Sequence, residues 1–335
     1  MPVPALLNQV AGYMAKVEAA YGTAEILTAG TDGVFPYLGD GLPPAPTALE
    51  YLFDGNIGRD ISTLFPAKSV APNGRGRKAE FPVLFKGSGV TYTALVLPPR
   101  EVDLMLQAAG FDRTFATATH TYTPTAAGTG YKSLTFAHYA QGKSHVVTGA
   151  LADWSFDFND LGVPTHSFSL QGIGAYIPQT TALPVISYEY GSIIPPVSAA
   201  AVVSIGTWVT PIVKGGSFKL NRNLGNARAR ITEAGGHLGF VPGAMKPELT
   251  LMVEQTALVA SPFHTVGGIS PDALREAATP ITVSARFGTS SFNRFTVTLN
   301  NAQLVDVKPA NDDAVAMYEL TFRGTGSNAV AVLFD

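Results

Sequence analysis

Between residues 151 and 159 every second side chain is large and apolar. Trp154, Phe156 and Phe158 alternate with Asp153, Ser155, Asp157 and Asn159. The run 165–172 does the same. Phe168 and Leu170 alternate with Thr165, Ser167, Ser169 and Gln171, and Asp160-Leu161-Gly162 supplies a turn between the two runs. Side chains along a strand project to opposite faces in turn, so a period of two sorts them into one apolar and one polar face. Parallel sheets are covered on both faces and read as continuous apolar runs. The alternation therefore predicts an antiparallel sheet, buried on one side and wet on the other.

The pattern then recurs in the same chain. Trp154-Ser155-Phe156-Asp157-Phe158, a polar turn and Ser167-Phe168-Ser169-Leu170-Gln171-Gly172-Ile173-Gly174 are matched further on. The second set is Leu304-Val305-Asp306-Val307, a polar turn and Tyr318-Glu319-Leu320-Thr321-Phe322-Arg323-Gly324-Thr325-Gly326. Upstream blocks keep the same order. Thr135-Phe136-Ala137-His138-Tyr139 parallels Thr282-Val283-Ser284-Ala285-Arg286-Phe287. The helix opening Pro98-Pro99-Arg100-Glu101 parallels Ser270-Pro271-Asp272, and Lys78-Ala79-Glu80-Phe81 parallels Lys246-Pro247-Glu248-Leu249. Five matches in one order predict two copies of a strand–strand–helix–strand–strand–strand unit. The boundaries read 1–47 for an N-terminal helix and extended arm, 48–178 for the first copy, 179–208 for a Pro/Ala/Ser-rich linker and 209–335 for the second copy. The N-terminal helix rests on Leu6, Leu7, Val10, Met14 and Val17 at three- and four-residue spacing, with Gly22 as its stop. The stretch 111–130, rich in Thr, Ala and Gly, reads as a loop.

Composition excludes several kinds of chemistry. The chain has 335 residues, a net charge of -3, only 14% charged residues and no cysteine. Without a basic domain there is no footprint for a dedicated nucleic-acid binder. Without cysteine there are no disulfides, thiolate zinc sites or cysteine nucleophiles. Six histidines occur, none in a metal-binding spacing. Gly128-Thr129-Gly130-Tyr131-Lys132-Ser133 lacks the spacing of a phosphate loop, and no G-x-S-x-G elbow occurs. Asp153 and Asp157 are four residues apart on one strand, roughly 13 Å by strand rise, which is too far for paired glycosidase carboxylates. No catalytic, cofactor or metal site is expected. Met1-Pro2-Val3-Pro4 lacks a charged n-region, so no secretory signal is expected, and no apolar stretch is long enough for a membrane helix. A low charge count on a folded chain suggests that much of its surface is not free in water, so that the chain either assembles with copies of itself or sits in an unusual environment.

The chain resembles the major tail tube proteins of long-tailed, non-contractile bacteriophages. The residues that carry the likeness are Ala15-Lys16-Val17-Glu18-Ala19-Ala20-Tyr21-Gly22-Thr23, Gly76-Arg77-Lys78-Ala79-Glu80-Phe81, Pro98-Pro99 with the block 104–111, Tyr122-Thr123-Pro124, the segment 149–174 and Gly216-Ser217-Phe218-Lys219-Leu220. The resemblance implies a structural virion protein, mainly β with short helices. Two tandem tail-tube-type β-sandwich or barrel units would join their sheets between subunits into a continuous tube barrel. Rings would stack helically, with tape measure, terminator and distal tail proteins at the tube ends. DNA would transit the lumen without specific binding, and no membrane would be involved. The protein would be made in the host cytoplasm and end in the virion tail. The alternatives are a secreted β-sandwich carbohydrate-binding module and the tube protein of a contractile injection machine.

Two unit copies per chain suggest homotrimeric rings with pseudo-six-fold symmetry, the alternative being homohexamers. A water-filled lumen calls for the polar faces. Asp153, Ser155, Asp157, Asn159, Ser167, Ser169 and Gln171 are assigned to it, with Asp306, Glu319 and Thr321 from the second copy. Trp154, Phe156, Phe158, Phe168, Leu170, Leu320 and Phe322 are assigned to the core. Ring stacking is assigned to the arm 1–50 and to the loops 54–76 and 221–243, with Arg59, Arg75, Arg77, Arg222, Arg228 and Arg230 as its candidate contacts.

Overall fold

A computed structural model describes residues 11–28, 34–36, 51–53, 74–82, 100–116, 119–126, 130–140, 143–159, 165–173, 201–208, 211–222, 224, 239–255, 271–288 and 294–335. It is a mainly β chain with two short helices. The first half contributes β1 (Ala11–Val17), β2 (Val34–Pro36), β3 (Tyr51–Phe53), β4 (Gly74–Pro82), α1 (Arg100–Ala108), β5 (Phe111–Ala116), β6 (Thr119–Pro124), β7 (Leu134–Ala140), β8 (Lys143–Asn159) and β9 (Thr165–Ile173). The second contributes β10 (Val202–Ile205), β11 (Val213–Lys219), β12 (Glu248–Glu254), α2 (Pro271–Ala277), β13 (Ile281–Phe287), β14 (Phe295–Asp312), β15 (Val315–Gly324) and β16 (Val330–Phe334). Every pairing among these strands is antiparallel, as the alternation requires.

The neighbours in the first half run β1-β7-β8-β9-β4-β3, and in the second β10-β13-β14-β15-β12-β11. Counted along the chain, the two orders are the same. The agreement reaches single residues. Gly149 and Asn301 are each the seventh residue of the long strands β8 and β14, and both have positive φ, 58° and 48°. Register shifts occur at both places, between Leu134 and Phe136 on β7 and between Ile281 and Val283 on β13. Such bulges bend a strand. Gly172 and Gly324 stand at matching points of β9 and β15, and a Cβ on either would lie 2.6 Å from a backbone carbonyl oxygen, that of Thr148 or of Ala329. Both positions therefore demand glycine.

Two pairings join the halves. β11 lies along the second part of β8, with Phe218 opposite Phe156 and Ser217 opposite Asp157, and β16 lies against β6. One apolar core crosses this junction. Trp154 lies at its middle, with ring centroids 4.7 Å from Phe218, 5.8 Å from Phe111 and 6.4 Å from Phe295. Phe158 meets Phe287 edge-on at 5.0 Å. All seven side chains assigned to the core are buried, each worth about 1.5–3 kcal/mol in transfer free energy. α1 buries Val102, Met105, Leu106 and Ala108, together with Asp103 and Gln107, and its apolar residues keep the three- and four-residue spacing of a core-facing helix. Gly110, with φ 88°, ends it. Proline opens α2 at Pro271, where a missing N–H costs nothing.

Three expectations are overturned. Of the segment expected to be an N-terminal helix, Ala11 to Val17 is strand β1, paired residue for residue with β7, while Leu6, Leu7 and Val10 lie outside the described residues. The spacing of Met14 and Val17 fits a helix. Gly12 and Val17 are poor helix formers, however, and the edge of β7 offers seven residues of ladder. β1 ends at Val17, and Gly22 lies beyond it in a turn, with Thr23 N donating to Ala20 O at 3.0 Å. The expected loop 111–130 contains the β5–β6 hairpin. Threonine at alternate positions is a strand signal, and Tyr122 is buried beneath it. Last, the segment read as the end of a linker contains β10, which pairs with β13.

Candidate functional site

The face opposite the core is polar and crosses the junction unbroken. Registers place Asp306, Thr321, Thr250, Ser217, Asp157 and Thr165 in one row, through β14, β15, β12, β11, β8 and β9. The adjacent row runs Gln303, Arg323, Glu248, Lys219, Ser155 and Ser167. Cross-strand partners hold the rows together. Thr250 and Thr321 hydroxyls lie 3.3 Å apart, Arg323 Nε donates to Glu248 Oε1 at 2.9 Å, and Lys308 Nζ donates to Glu319 Oε1 at 3.2 Å. Lys308 also meets Asp306 at 3.0 Å. That contact lowers the Asp306 carboxyl below its ordinary range and raises the Lys308 amine.

All ten residues assigned to a lumen from the sequence lie in strands and are at least partly exposed; Asp157 and Asn159 are the most open. Asp153 is the most enclosed of the carboxylates here. Its Oδ1 accepts from Trp154 N at 2.9 Å and Arg222 N at 3.2 Å, and burial pushes its carboxyl upward. Among the described residues, the charged side chains of the face include Asp153, Asp157, Glu248, Glu254, Asp306 and Glu319 against Lys219, Lys308 and Arg323, an acidic excess.

The stacking assignments fare differently. Arg222 is fully buried. Its Nη1 donates to Ala108 O at the end of α1 and, at 3.4 Å, to Ala152 O. Its guanidinium carbon lies 5.0 Å from the Tyr131 ring centroid. Burial lowers its pKa to about 10. Arg222 follows β11 and reaches into the first half, so it pins the junction from within and is not available to a neighbouring ring. A cation at a helix C-terminus also complements the helix dipole. Arg75 and Arg77 lie in strand β4, opposite Gly172 and Leu170 of β9, and for Arg75 a loop was expected. Arg59, Arg228 and Arg230 lie outside the described residues, as does most of both stacking loops. Residues 11–17 and 34–36 of the expected arm belong to the chain's own sheet.

Sequence reasoning missed the buried carboxylate of Glu18. It accepts from Ser133 Oγ at 2.6 Å, Thr135 Oγ1 at 3.0 Å, Gly149 N at 2.8 Å and Gly22 N at 2.8 Å. It thereby ties the end of β1 to β7 and to the bend of β8. Nothing local marks it, because its donors come from four separate positions. Registers set His138 directly opposite His145 across the β7–β8 hairpin. Among the described residues, no group of three or more His, Asp or Glu is placed to hold a metal ion. No helix among them is long and apolar enough to cross a membrane.

No protein-family model matches the chain, and a search of curated proteins finds no match to it.

Proposed function

We propose that this chain is the self-assembling subunit of a phage tail tube, built from two tandem copies of one tube unit. The observation that carries the reading is the polar sheet face that runs from one half into the other through the β8–β11 pairing. Two units with the same strand order, already joined edge to edge, form one segment of a wall. Repeating the join between chains closes a ring, and a closed sheet leaves no exposed edges. Three chains supply six units and pseudo-six-fold rings. In such a ring the apolar faces of both units stay under the helices and the polar face lines the channel. An acidic excess on that wall repels the phosphates of passing DNA, so the genome slides without sticking. Stacked rings, capped by other tail proteins, would make the conduit of a virion.

Negative-stain microscopy of the purified protein tests this. Rings or tubes with an axial channel support it. Compact monomers at high concentration overturn it and favour a binding module. Image averaging of single rings then separates three chains from six.

A further inference from the structure

β14 is paired along only part of its length. Its first part meets β13, as far as Ala302, and β16, as far as Leu299. Beyond Ala302 its only strand neighbour among the described residues is β15. Among the described residues no strand therefore pairs with the opposite edge of residues 305–312, and Val305 is 37% exposed. In β8 the corresponding edge is filled. There β11 supplies the ladder, Lys219 opposite Ser155 and Phe218 opposite Phe156, and Leu220 N donates to Trp154 O at 2.8 Å.

The registers translate one place into the other. Ser155 faces Ser167 of β9 as Lys308 faces Glu319 of β15. Lys219 faces Glu248 of β12 as Leu52 of β3 faces Gly76 of β4. Glu248 and Gly76 in turn face Arg323 and Gln171, the residues just before Gly324 and Gly172. Thus β3 is to the first half what β11 is to the second. β11 has its socket within the chain, whereas β3 has β4 as its only strand neighbour among the described residues.

We propose that strand β3 of a second copy of this chain docks on the open edge of β14, in the register that β11 makes on β8. Leu52 then stands opposite Lys308 and Tyr51 opposite Pro309. Each chain offers one socket and one strand at separate places, so the contact is head-to-tail and closes a ring when the rotation allows it. Pro309 limits this contact, costing it one ladder bond while guarding the edge against indiscriminate pairing. A proline cannot donate to a ladder and within a sheet is tolerated where its nitrogen faces an edge. Its nitrogen therefore points at the socket, and the incoming strand makes its bonds on either side of it. This inference rests on the self-assembly reading above.

The chain has no cysteine, so a disulfide can report the pairing. Leu52 and Lys308 would form a non-hydrogen-bonded pair, with Cα atoms about 4.5 Å apart, within disulfide reach. The double variant Leu52→Cys with Lys308→Cys, oxidised after assembly, should give a covalent ladder ending at the closed ring on a non-reducing gel. The positive control is Lys219→Cys with Ser155→Cys, which should cross-link within one chain. Hydrogen exchange on the unmodified protein gives a second measure, because the Val307 amide, which faces the socket opposite Phe53, should gain protection of at least tenfold on assembly. Rings seen by microscopy without the 52–308 link, or without protection of the Val307 amide, overturn the proposed socket and leave the assembly reading standing. Monomers under all conditions, with the control link formed, overturn both.

Discussion

The second halves of β8 and β14 occupy the same place in the two sheet orders, yet differ in what their residues resemble. In β8 the core-facing side chains are Trp154, Phe156 and Phe158, all buried, and both backbone edges are paired. In β14 the residues at the matching register positions are Val307, Pro309 and Asn311, flanked by Lys308 and Asp312, and Pro309 and Asn311 are exposed. One strand end is built as an interior and the other as an edge. Lysine and proline are the residues by which natural sheets keep a bare edge from pairing at random. Which neighbour a strand has within its own chain thus decides its composition, even where the topology is repeated.

The comparison can be broken most decisively at its paired end. Trp154→Ala should lose about 3–5 kcal/mol by denaturant unfolding, the range for large-to-small core changes. Val307→Ala, at the matching position, should lose about 1 kcal/mol or less in the isolated subunit. Equal losses would mean that the β14 end is as buried as the β8 end. The mid-strand bends are the next test. Gly149 N is held by the Glu18 carboxylate at 2.8 Å, whereas at the other bend Thr325 Oγ1 donates to Asn301 O at 2.7 Å. Glu18→Gln turns an acceptor among four donors into a partial donor and should cost about 2 kcal/mol. Thr325→Val, on an exposed hydrogen bond, should cost clearly less.

The polar face offers a pH test. Burial raises the Asp153 carboxyl above its ordinary value, so the folded chain holds that proton more tightly than the unfolded one. The charged form then costs stability above the folded pKa, and the cost vanishes below the unfolded value near 3.8. Asp153→Asn keeps an acceptor for Trp154 N and Arg222 N. Its stability relative to the parent should be more favourable at pH 7 than at pH 4, measured by urea unfolding at both. A difference that does not change with pH would place no penalty on this carboxylate. The smallest effect is expected at Arg323. The exposed pair with Glu248 should contribute less than about 1 kcal/mol, and Arg323→Ala should leave the melting temperature nearly unchanged.

Much of the sheet was legible from residues alone. Alternation in 151–159 and 165–172 identified the buried and polar faces because period two has only one structural meaning. Pro98-Pro99 before α1 and Gly110 after it mark the helix by backbone chemistry. The β1 strand was not legible, since Tyr13, Met14 and Val17 with two alanines in seven residues fit either period, and β7 decides between them. Nor was the β8–β11 pairing, which joins residues some sixty positions apart with no turn between them to signal it. Arg222 was misread for a related reason. An arginine in a Gly-interrupted loop reads as exposed, and only the packing of α1 over β8 supplies the carbonyls that hold it inside.

The bends at Gly149 and Asn301 leave β8 and β14 as continuous backbones through two sets of neighbours. β8 meets β7 before its bend and β9 with β11 after it. β14 meets β13 before and β15 after. Tension applied along either strand is therefore carried by covalent bonds from one set of ladders to the other. Hydrogen bonds lying across the pull are loaded together in shear and do not open one at a time. A sheet made this way stiffens against stretching while each bulge leaves it a point at which to flex.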